Sequence, residues 1–346
     1  MGKVMKKRKM FYLCVATLLM VSLILTGCSN GSSAPKEGTA PKEGAVVSKY
    51  PEKPINWYVG VMAGTSIDTS ARKLAVLLEK ELGQPVTVIN VEGGGQNIMY
   101  TKVKGEKPDG YTIFSQQSIM PMNYGMGTSD ITYKDFDNIC SFIASDPALM
   151  VRKDSPFKTM DDFIKAAKEN PGKVSVGLGS ATSPWLTTID SMHRDLGLTV
   201  NVVKASKGAV ESTQQLLGGH IDTMMNVMTA SPGLIESGDV RVLALDADER
   251  HPVYPDVPLF KEYGINDFNH LVTGVSAPKG LPQDVKEKLN KAFAKILEDP
   301  TWKEFVNTSL NAEFYLTGDE YDAFLEKEHN TKLEGLKKVG LYKRKD

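Results

Sequence analysis

The chain has 346 residues, enough for two compact lobes, and its 41% hydrophobic content is sufficient for a buried core. Its formal net charge of −1 argues against nucleic acid as a partner, because proteins that bind nucleic acid carry a basic surface. Its five histidines are scattered, and no two lie at metal-ligand spacing. We therefore expect no cofactor, no metal and no catalytic centre.

Residues 1–27 have the pattern of a secretion signal. Basic residues precede an apolar run, Met10–Leu25, which is shorter than the about 20 residues that span a bilayer. The run ends in LTGC at 25–28, which resembles the bacterial lipobox, whose cysteine is acylated and becomes the new N-terminus. We predict cleavage before Cys28 and a lipid anchor on the extracytoplasmic face of the cell membrane. The alternatives are an ordinary signal peptide with a chance cysteine, or an uncleaved anchor helix.

Residues 28–52 are predicted to be a flexible linker behind this anchor. They are rich in Ser, Gly, Pro, Lys and Glu, and they contain the string APKEG at 34–38 and again at 40–44. Such a composition cannot bury enough apolar surface to fold. The linker would let the folded part stand off the membrane and reorient.

From residue 55 onward, predicted strands alternate with amphipathic helices. The predicted strands are 55–62, 86–91, 111–115, 174–178, 200–203, 223–227 and 240–245, and the predicted helices are 69–82, 97–103, 161–168, 184–196, 210–217, 282–298, 300–307 and 318–334. This alternation predicts an α/β protein with mostly parallel sheets and helices on both faces. We expect two lobes, the first formed by 53–147 plus 271–346 and the second by 148–270.

Two loops are candidates for binding a ligand, because open parallel sheets bind ligands beyond the carboxyl ends of their strands. They are AGTSID at 63–68 and GSATSP at 179–184, each followed by a predicted helix. Free N–H groups and the helix dipole favour an anion there. Either loop could instead be a capped turn without a ligand. Asp68 could cap its helix or accept a ligand ammonium or hydroxyl, and Trp185 fits either a core position or a lid over the ligand.

A series of motifs in order resembles the extracytoplasmic solute receptors of tripartite tricarboxylate transporters, the Bug family. The motifs are AGTSIDTSAR (63–72), EGGGQNI (92–98), PDGYT (108–112), the stretches 155–185 and 237–244, KG (207–208), LLGGHID (216–222), PDVP (255–258) and APKGLP (277–282). The chain departs from the family pattern at several positions inside the expected site, namely Thr65, Ser66, Ile67, Trp185 and Ser206.

The resemblance implies a two-lobed, flytrap-like periplasmic-binding-protein fold of type II, with a ligand in the cleft between the lobes and no catalysis. It also implies that backbone amides, small hydroxyl side chains and bridging waters hold a carboxylate. The implied contacts are Thr65, Ser66, Ile67, Asp68 and Gln116 in the first lobe, and Ser180, Ala181, Thr182, Ser183, Lys207, Gly208 and Asn226 in the second.

We therefore predict a lipid-anchored solute-binding protein that captures a mono-, di- or tricarboxylate. Its implied partners are that organic acid, the membrane, and the large and small membrane subunits of a tripartite tricarboxylate transporter. The alternative is a sensor-type receptor that feeds a membrane signalling protein. A hydrolase that uses Ser66 or Ser180 would need a base, and no histidine lies close to either serine in sequence.

Overall fold

The computed structural model describes residues 49–179, 183–205, 208–247, 249–251, 253–265 and 270–344. The predicted signal, Cys28 and the linker up to residue 48 lie outside these residues. Within the described ranges, no helix is both long enough and apolar enough to cross a membrane.

Sheet 1 has six strands in the order β11-β4-β10-β3-β1-β2. The strands are β1 (Ile55–Val59), β2 (Val86–Asn90), β3 (Thr112–Gln117), β4 (Phe136–Ser145), β10 (Leu271–Pro278) and β11 (Ala312–Glu313). Strand β1 pairs in parallel with β2 and β3, whereas β10 pairs antiparallel with β3 and β4. One face packs against α1 (Ser66–Leu82), α8 (Gln283–Leu297) and α9 (Pro300–Thr308), and the other against α2 (Asn97–Lys104), α3 (Ile119–Gly125) and α10 (Gly318–Lys338).

Sheet 2 has five strands in the order β7-β6-β8-β5-β9. The strands are β5 (Pro147–Arg152), β6 (Ser175–Leu178), β7 (Asn201–Lys204), β8 (Thr223–Val227) and β9 (Val240–Leu245). Strand β6 is parallel to β7 and β8, and β5 is antiparallel to β8 and β9. Helices α4 (Met160–Glu169) and α5 (Leu186–Leu196) pack on one face, and α6 (Ala209–Leu217) and α7 (Pro232–Glu236) pack on the other.

The prediction of mostly parallel sheets is wrong, because both sheets are mixed. The chain passes from sheet 1 to sheet 2 through Asp146, and it returns just before Leu271. A strand that starts at such a crossing begins beside the carboxyl ends of the parallel strands, so it must run antiparallel to them. Strands β5 and β10 both start in this way, and the sequence pattern predicted neither of them.

The first helix shows how the sequence pattern becomes a packed element. Ala71, Leu74 and Leu78 are fully buried against β1, as their helical spacing predicts. Consecutive residues of β1 point to opposite faces of sheet 1. Trp57 therefore packs edge-on against Phe293 at a ring-centroid distance of 5.7 Å, in the core cluster that includes α1.

Candidate ligand-binding site

The carboxyl ends of the parallel strands in both sheets lie at the two chain crossings. Strand β10 starts beside the end of β3, where Thr273 pairs with Gln117, and β5 starts beside the end of β8, where Pro147 pairs with Val227. At the crossings themselves, His270 Nδ1 lies 2.8 Å from Asp146 Oδ1. The edges at which open α/β sheets bind ligands therefore adjoin one another at this junction.

The loop after β1 leads into an uncapped helix N-terminus. Thr65 occupies the N-cap position in an extended conformation (φ −71°, ψ 161°), and its Oγ1 donates to the carbonyl of Met62 at 2.9 Å. Among the described residues, no side chain caps α1. Thr65, Ser66 and Ile67 are all half-buried. The first backbone N–H groups of α1 therefore remain available to an anion.

Asp68 is buried and accepts four hydrogen bonds. The backbone N–H of Gly64 and the amide of Asn90 each donate to its carboxylate at 2.8 Å. Arg72 donates twice, from Nε at 3.0 Å and from Nη2 at 2.9 Å. Burial by itself raises the pKa of the Asp68 carboxyl, but the bonds from Arg72, Gly64 and Asn90 together hold that pKa below its usual value. These contacts make Asp68 an organiser of the loop, and a direct ligand contact stays a prediction.

A buried pair of glutamines, which the sequence pattern did not predict, lies behind the same edge of sheet 1. Gln96 Nε2 donates to Gln117 Oε1, and Tyr100 donates to Gln96 Oε1 at 3.1 Å. Gln117 Nε2 in turn donates to Thr273 Oγ1 at 3.1 Å. The backbone of Gln96 is left-handed (φ 73°), which is uncommon for a residue with a side chain. The only sequence signal was the run of three glycines before Gln96.

Gln116, a predicted ligand contact on β3, forms a side-chain hydrogen bond within sheet 1. It is 1% exposed, and its Oε1 accepts a hydrogen bond from Ser276 at 2.7 Å. Consecutive residues of a strand point to opposite faces of the sheet. Gln116 therefore faces away from its neighbour Gln117, which belongs to the glutamine pair. A ligand contact by Gln116 stays a prediction.

On the side of sheet 2, only some of the predicted residues are described. Ser183 is buried, and its Oγ accepts a weak hydrogen bond from the N–H of Trp185 at 3.4 Å. Gly208 precedes α6 with φ 82°, and Asn226 is buried near the end of β8. Four predicted contacts lie outside the described residues: Ser180, Ala181, Thr182 and Lys207.

The described part of the chain contains no cluster of three or more His, Cys, Asp or Glu residues that could hold a metal. Burial raises the pKa of the Cys140 thiol far above its usual value, so this thiol is inert. Among the described residues, the amide of Asn311 donates a weak hydrogen bond to Ser66 Oγ at 3.4 Å. An amide is not a base, so this contact does not activate Ser66 as a nucleophile.

Comparisons with known proteins find similar sequences and similar structures. The family model described as "Tripartite tricarboxylate transporter family receptor" matches residues 70–341. A protein from Cupriavidus necator, "UPF0065 protein in gbd 5'region", is 32% identical over 302 residues, which cover 86% of this chain and 91% of that protein.

Solved structures share the fold. The periplasmic binding protein BugD is 27% identical with a TM-score of 0.73, and the match covers 85% of this chain and all of that one (100%). MatC from Rhodopseudomonas palustris, solved with bound malate, is 23% identical with a TM-score of 0.71, and the match covers 83% of this chain and 100% of that one. The two-sheet α/β periplasmic-binding-protein fold expected from the sequence is confirmed.

Proposed function

This chain belongs to the tripartite tricarboxylate transporter family of receptors, and on that premise we propose that it captures a small carboxylate between its two sheet edges and delivers it to the transporter's membrane subunits. Members of the family are receptors, so the chain is an extracytoplasmic binding protein and not an enzyme. The ligand would be a mono-, di- or tricarboxylate. The malate held by MatC makes four-carbon dicarboxylates the first compounds to test.

The uncapped N-terminus of α1 is the observation that carries this proposal. Its first N–H groups lie at the edge of sheet 1 that adjoins sheet 2, and the contacts of Asp68 fix the loop before them. A carboxylate placed there satisfies amides that would otherwise face water, and the helix dipole favours its charge. The predicted contacts Thr65, Ser66 and Ile67 all belong to this turn.

The second half of the site comes from the loops of sheet 2. We assign it Ser183, Gly208 and Asn226, together with the predicted contacts outside the described residues, Ser180, Ala181, Thr182 and Lys207. Residues 53–147 with 271–346 would move as one lobe and 148–270 as the other, hinged at the two crossings. Ligand binding would then bias an equilibrium between open and closed forms.

Calorimetric titration with acetate, lactate, succinate, malate, adipate and citrate tests the proposal. We expect saturable one-to-one binding of at least one of these acids. Tryptophan fluorescence offers a second readout, because Trp57 and Trp302 lie in the core of sheet 1 whereas Trp185 lies at the edge of sheet 2. Failure of all six acids to bind would overturn the carboxylate assignment.

A matched pair of variants at Ser66 isolates the backbone amide. Ser66 is the first residue of α1 and follows an extended residue, so proline fits this position without breaking the helix. Ser66→Pro removes both the N–H and the hydroxyl, whereas Ser66→Ala removes only the hydroxyl. We expect Ser66→Pro to bind about tenfold more weakly than Ser66→Ala, the value of one hydrogen bond to a charged group. Equal affinities would show that this amide does not hold the ligand.

Cys28 would tie the receptor to the membrane. The support is the lipobox-like LTGC at 25–28 followed by a segment of linker composition. A diacylglycerol on this cysteine buries two acyl chains, enough for stable anchoring. In bacteria fed labelled palmitate, the wild-type protein should carry label and sediment with membranes, and Cys28→Ser should do neither. An unlabelled wild-type protein would contradict the anchor.

A further inference from the structure

Leu310 lies between two elements of sheet 1, α9 and β11, yet its side chain is buried in a core cluster of sheet 2. It is 7% exposed and belongs to the apolar cluster on the face of sheet 2 that α6 and α7 cover. Among the described residues, all other members of that cluster lie between residues 148 and 259, the part of the chain that forms sheet 2. Leu310 therefore connects the two sheets through a side-chain contact, separate from the two chain crossings.

The backbone of Leu310 is left-handed, with a φ of 58°. Among the described residues other than glycine, only Gln96 also has a positive φ. This conformation is unfavourable for leucine, because the Cβ atom then crowds a backbone carbonyl oxygen. Such strain persists only where the surrounding structure holds the residue in place, and it concentrates at functional sites. The contacts around Leu310 therefore offset the strain of its backbone.

Hydrogen bonds of Asn311 hold this loop in place. Asn311 is 4% exposed, its Oδ1 accepts from Ser145 Oγ at 2.6 Å, and its Nδ2 donates to Ser309 Oγ at 2.8 Å. Its backbone N–H donates to the carbonyl of Val306 in the last turn of α9 at 3.3 Å. Ser145 is the last residue of β4 before the first crossing. The loop that carries Leu310 is thus attached to sheet 1 beside the crossing.

The pairing of sheet 1 places this loop on the cleft side of the crossings. Strand β10 is antiparallel to both β3 and β4, so the carboxyl end of β4 lies at the same edge as that of β3. Ala312, which follows the loop, pairs with Ala144 near that end. Asn311 Nδ2 also donates weakly to Ser66 Oγ, at the start of α1, at 3.4 Å. A contact with sheet 2 on this side forms when the two sheet edges approach and breaks when they separate.

We propose that Leu310 stabilises the closed form of the receptor by packing its side chain into sheet 2. This inference rests on the proposed function, in which the two sheet edges close on the ligand. Opening exposes the Leu310 side chain to water and closure buries it, so apolar burial contributes to the free energy of closure. Leu310 therefore strengthens ligand binding without touching the ligand, because a ligand held between the edges binds the closed form.

Leu310→Gly and Leu310→Asn test this role, because both remove the apolar side chain and both residues tolerate a φ of 58°. The probe is whichever of acetate, lactate, succinate, malate, adipate and citrate the wild-type protein binds most tightly. Each variant should bind it about tenfold more weakly in calorimetry, since loss of a buried leucine contact lowers the population of the closed form by about that factor. The dissociation rate in stopped-flow tryptophan fluorescence should rise by about the same factor, because the ligand leaves from the open form.

Two further variants serve as controls. Leu310→Met keeps an apolar side chain of similar volume and should bind within about twofold of the wild-type protein. Leu198→Ala removes a leucine of similar burial, 1% exposed, from the other core cluster of sheet 2. Leu198 precedes β7 and so lies at the amino ends of the parallel strands, away from the cleft. Leu198→Ala should lower the melting temperature and leave the affinity and the dissociation rate unchanged.

If the wild-type protein binds an acid and both Leu310→Gly and Leu310→Asn bind it equally well, the role of Leu310 is wrong and the proposed function stands. Tighter binding by these variants would place the contact in the open form, which also overturns the inference. An equal loss of affinity in Leu198→Ala would make the effect one of general stability, with the same consequence. Wild-type protein that binds none of the six acids overturns the proposed function and, with it, this inference.

Discussion

Replacing Asp68 with Asn tests whether this residue organises the loop or contacts the ligand. The variant keeps the shape of the side chain but removes its charge and leaves one carbonyl oxygen as acceptor. The new NH₂ group then faces N–H groups from which the carboxylate had accepted hydrogen bonds, such as Arg72 Nη2 or the backbone N–H of Gly64. The loop before α1 would lose the contacts that hold it in place.

The hydrogen bonds of Asp68 determine how far the free energy of unfolding should fall in this variant. Hydrogen bonds to a charged group contribute about 1.5–3 kcal/mol each, and Asn retains roughly half of the four. Arg72 is 48% exposed, so solvent screening places its two bonds at the low end of that range. We expect the free energy of unfolding to fall by about 2–4 kcal/mol at neutral pH.

Urea denaturation of the ligand-free protein across a pH series measures this loss. The pKa of Asp68 in the folded protein lies below its ordinary value of 3.8, so its stabilisation is fully present above that pH. The stabilisation is lost as the pH falls through the folded-state pKa, and the gap between wild type and Asp68→Asn should close in acid. Asp161→Asn, an exposed acid in the first turn of α4, is the control and should change stability by less than about 0.5 kcal/mol. Unchanged stability of Asp68→Asn combined with lost affinity would refute the organising role and make Asp68 a ligand contact.

Two further predictions concern stability. Burial lowers the pKa of His251 and of His329, so the unfolded chain binds protons more strongly than the folded one, and the free energy of unfolding should fall as the pH drops from about 7 to 5. His329→Gln should flatten this slope in urea titrations, and an unchanged slope would contradict the assignment. In α10, a Cβ on Gly335 would lie 2.6 Å from Thr187 Cγ2 of α5, so Gly335→Ala should lower the melting temperature despite its better helix propensity. Gly233→Ala in α7, where nothing lies within 4 Å of the new Cβ, is the control and should not lower the melting temperature.

The spacing of hydrophobic residues predicted the helices and strands that bury only one face. The helix predicted at 69–82 buries Leu74 and Leu78 as expected, but α1 begins three residues earlier, at Ser66. Thr65 in its extended conformation sets that start. Helix ends depend on cap geometry, which periodicity does not report.

The sequence pattern did not predict strands β4, β5 and β10, because the burial of their side chains depends on the neighbouring strands. Strands β4 and β5 are buried along almost their whole length, and therefore lack the alternation that marks a half-exposed strand. Strand β10 contains Gly274, where a side chain would meet Tyr321 of α10 and the backbone of Cys140. Only the assembled sheet shows why a glycine is required in this strand.

The loops of the candidate site could be predicted from the sequence, but the roles of their side chains could not. Small residues before a helix marked 63–68 correctly as a helix entry. The partners of Asp68 include Asn90, 22 residues away, and the partner of Gln96 is Gln117, 21 residues away. Contacts at such separations follow from the pairing of β1, β2 and β3, which no local pattern encodes.

Amide hydrogen exchange with and without a bound carboxylate tests the central claim most directly. If one ligand bridges the two sheet edges, saturating ligand should slow exchange in two places, the start of α1 around Ser66 and Ile67 and the end of β8 around Asn226. Protection at only one of these edges, or at neither, would contradict a ligand held between them.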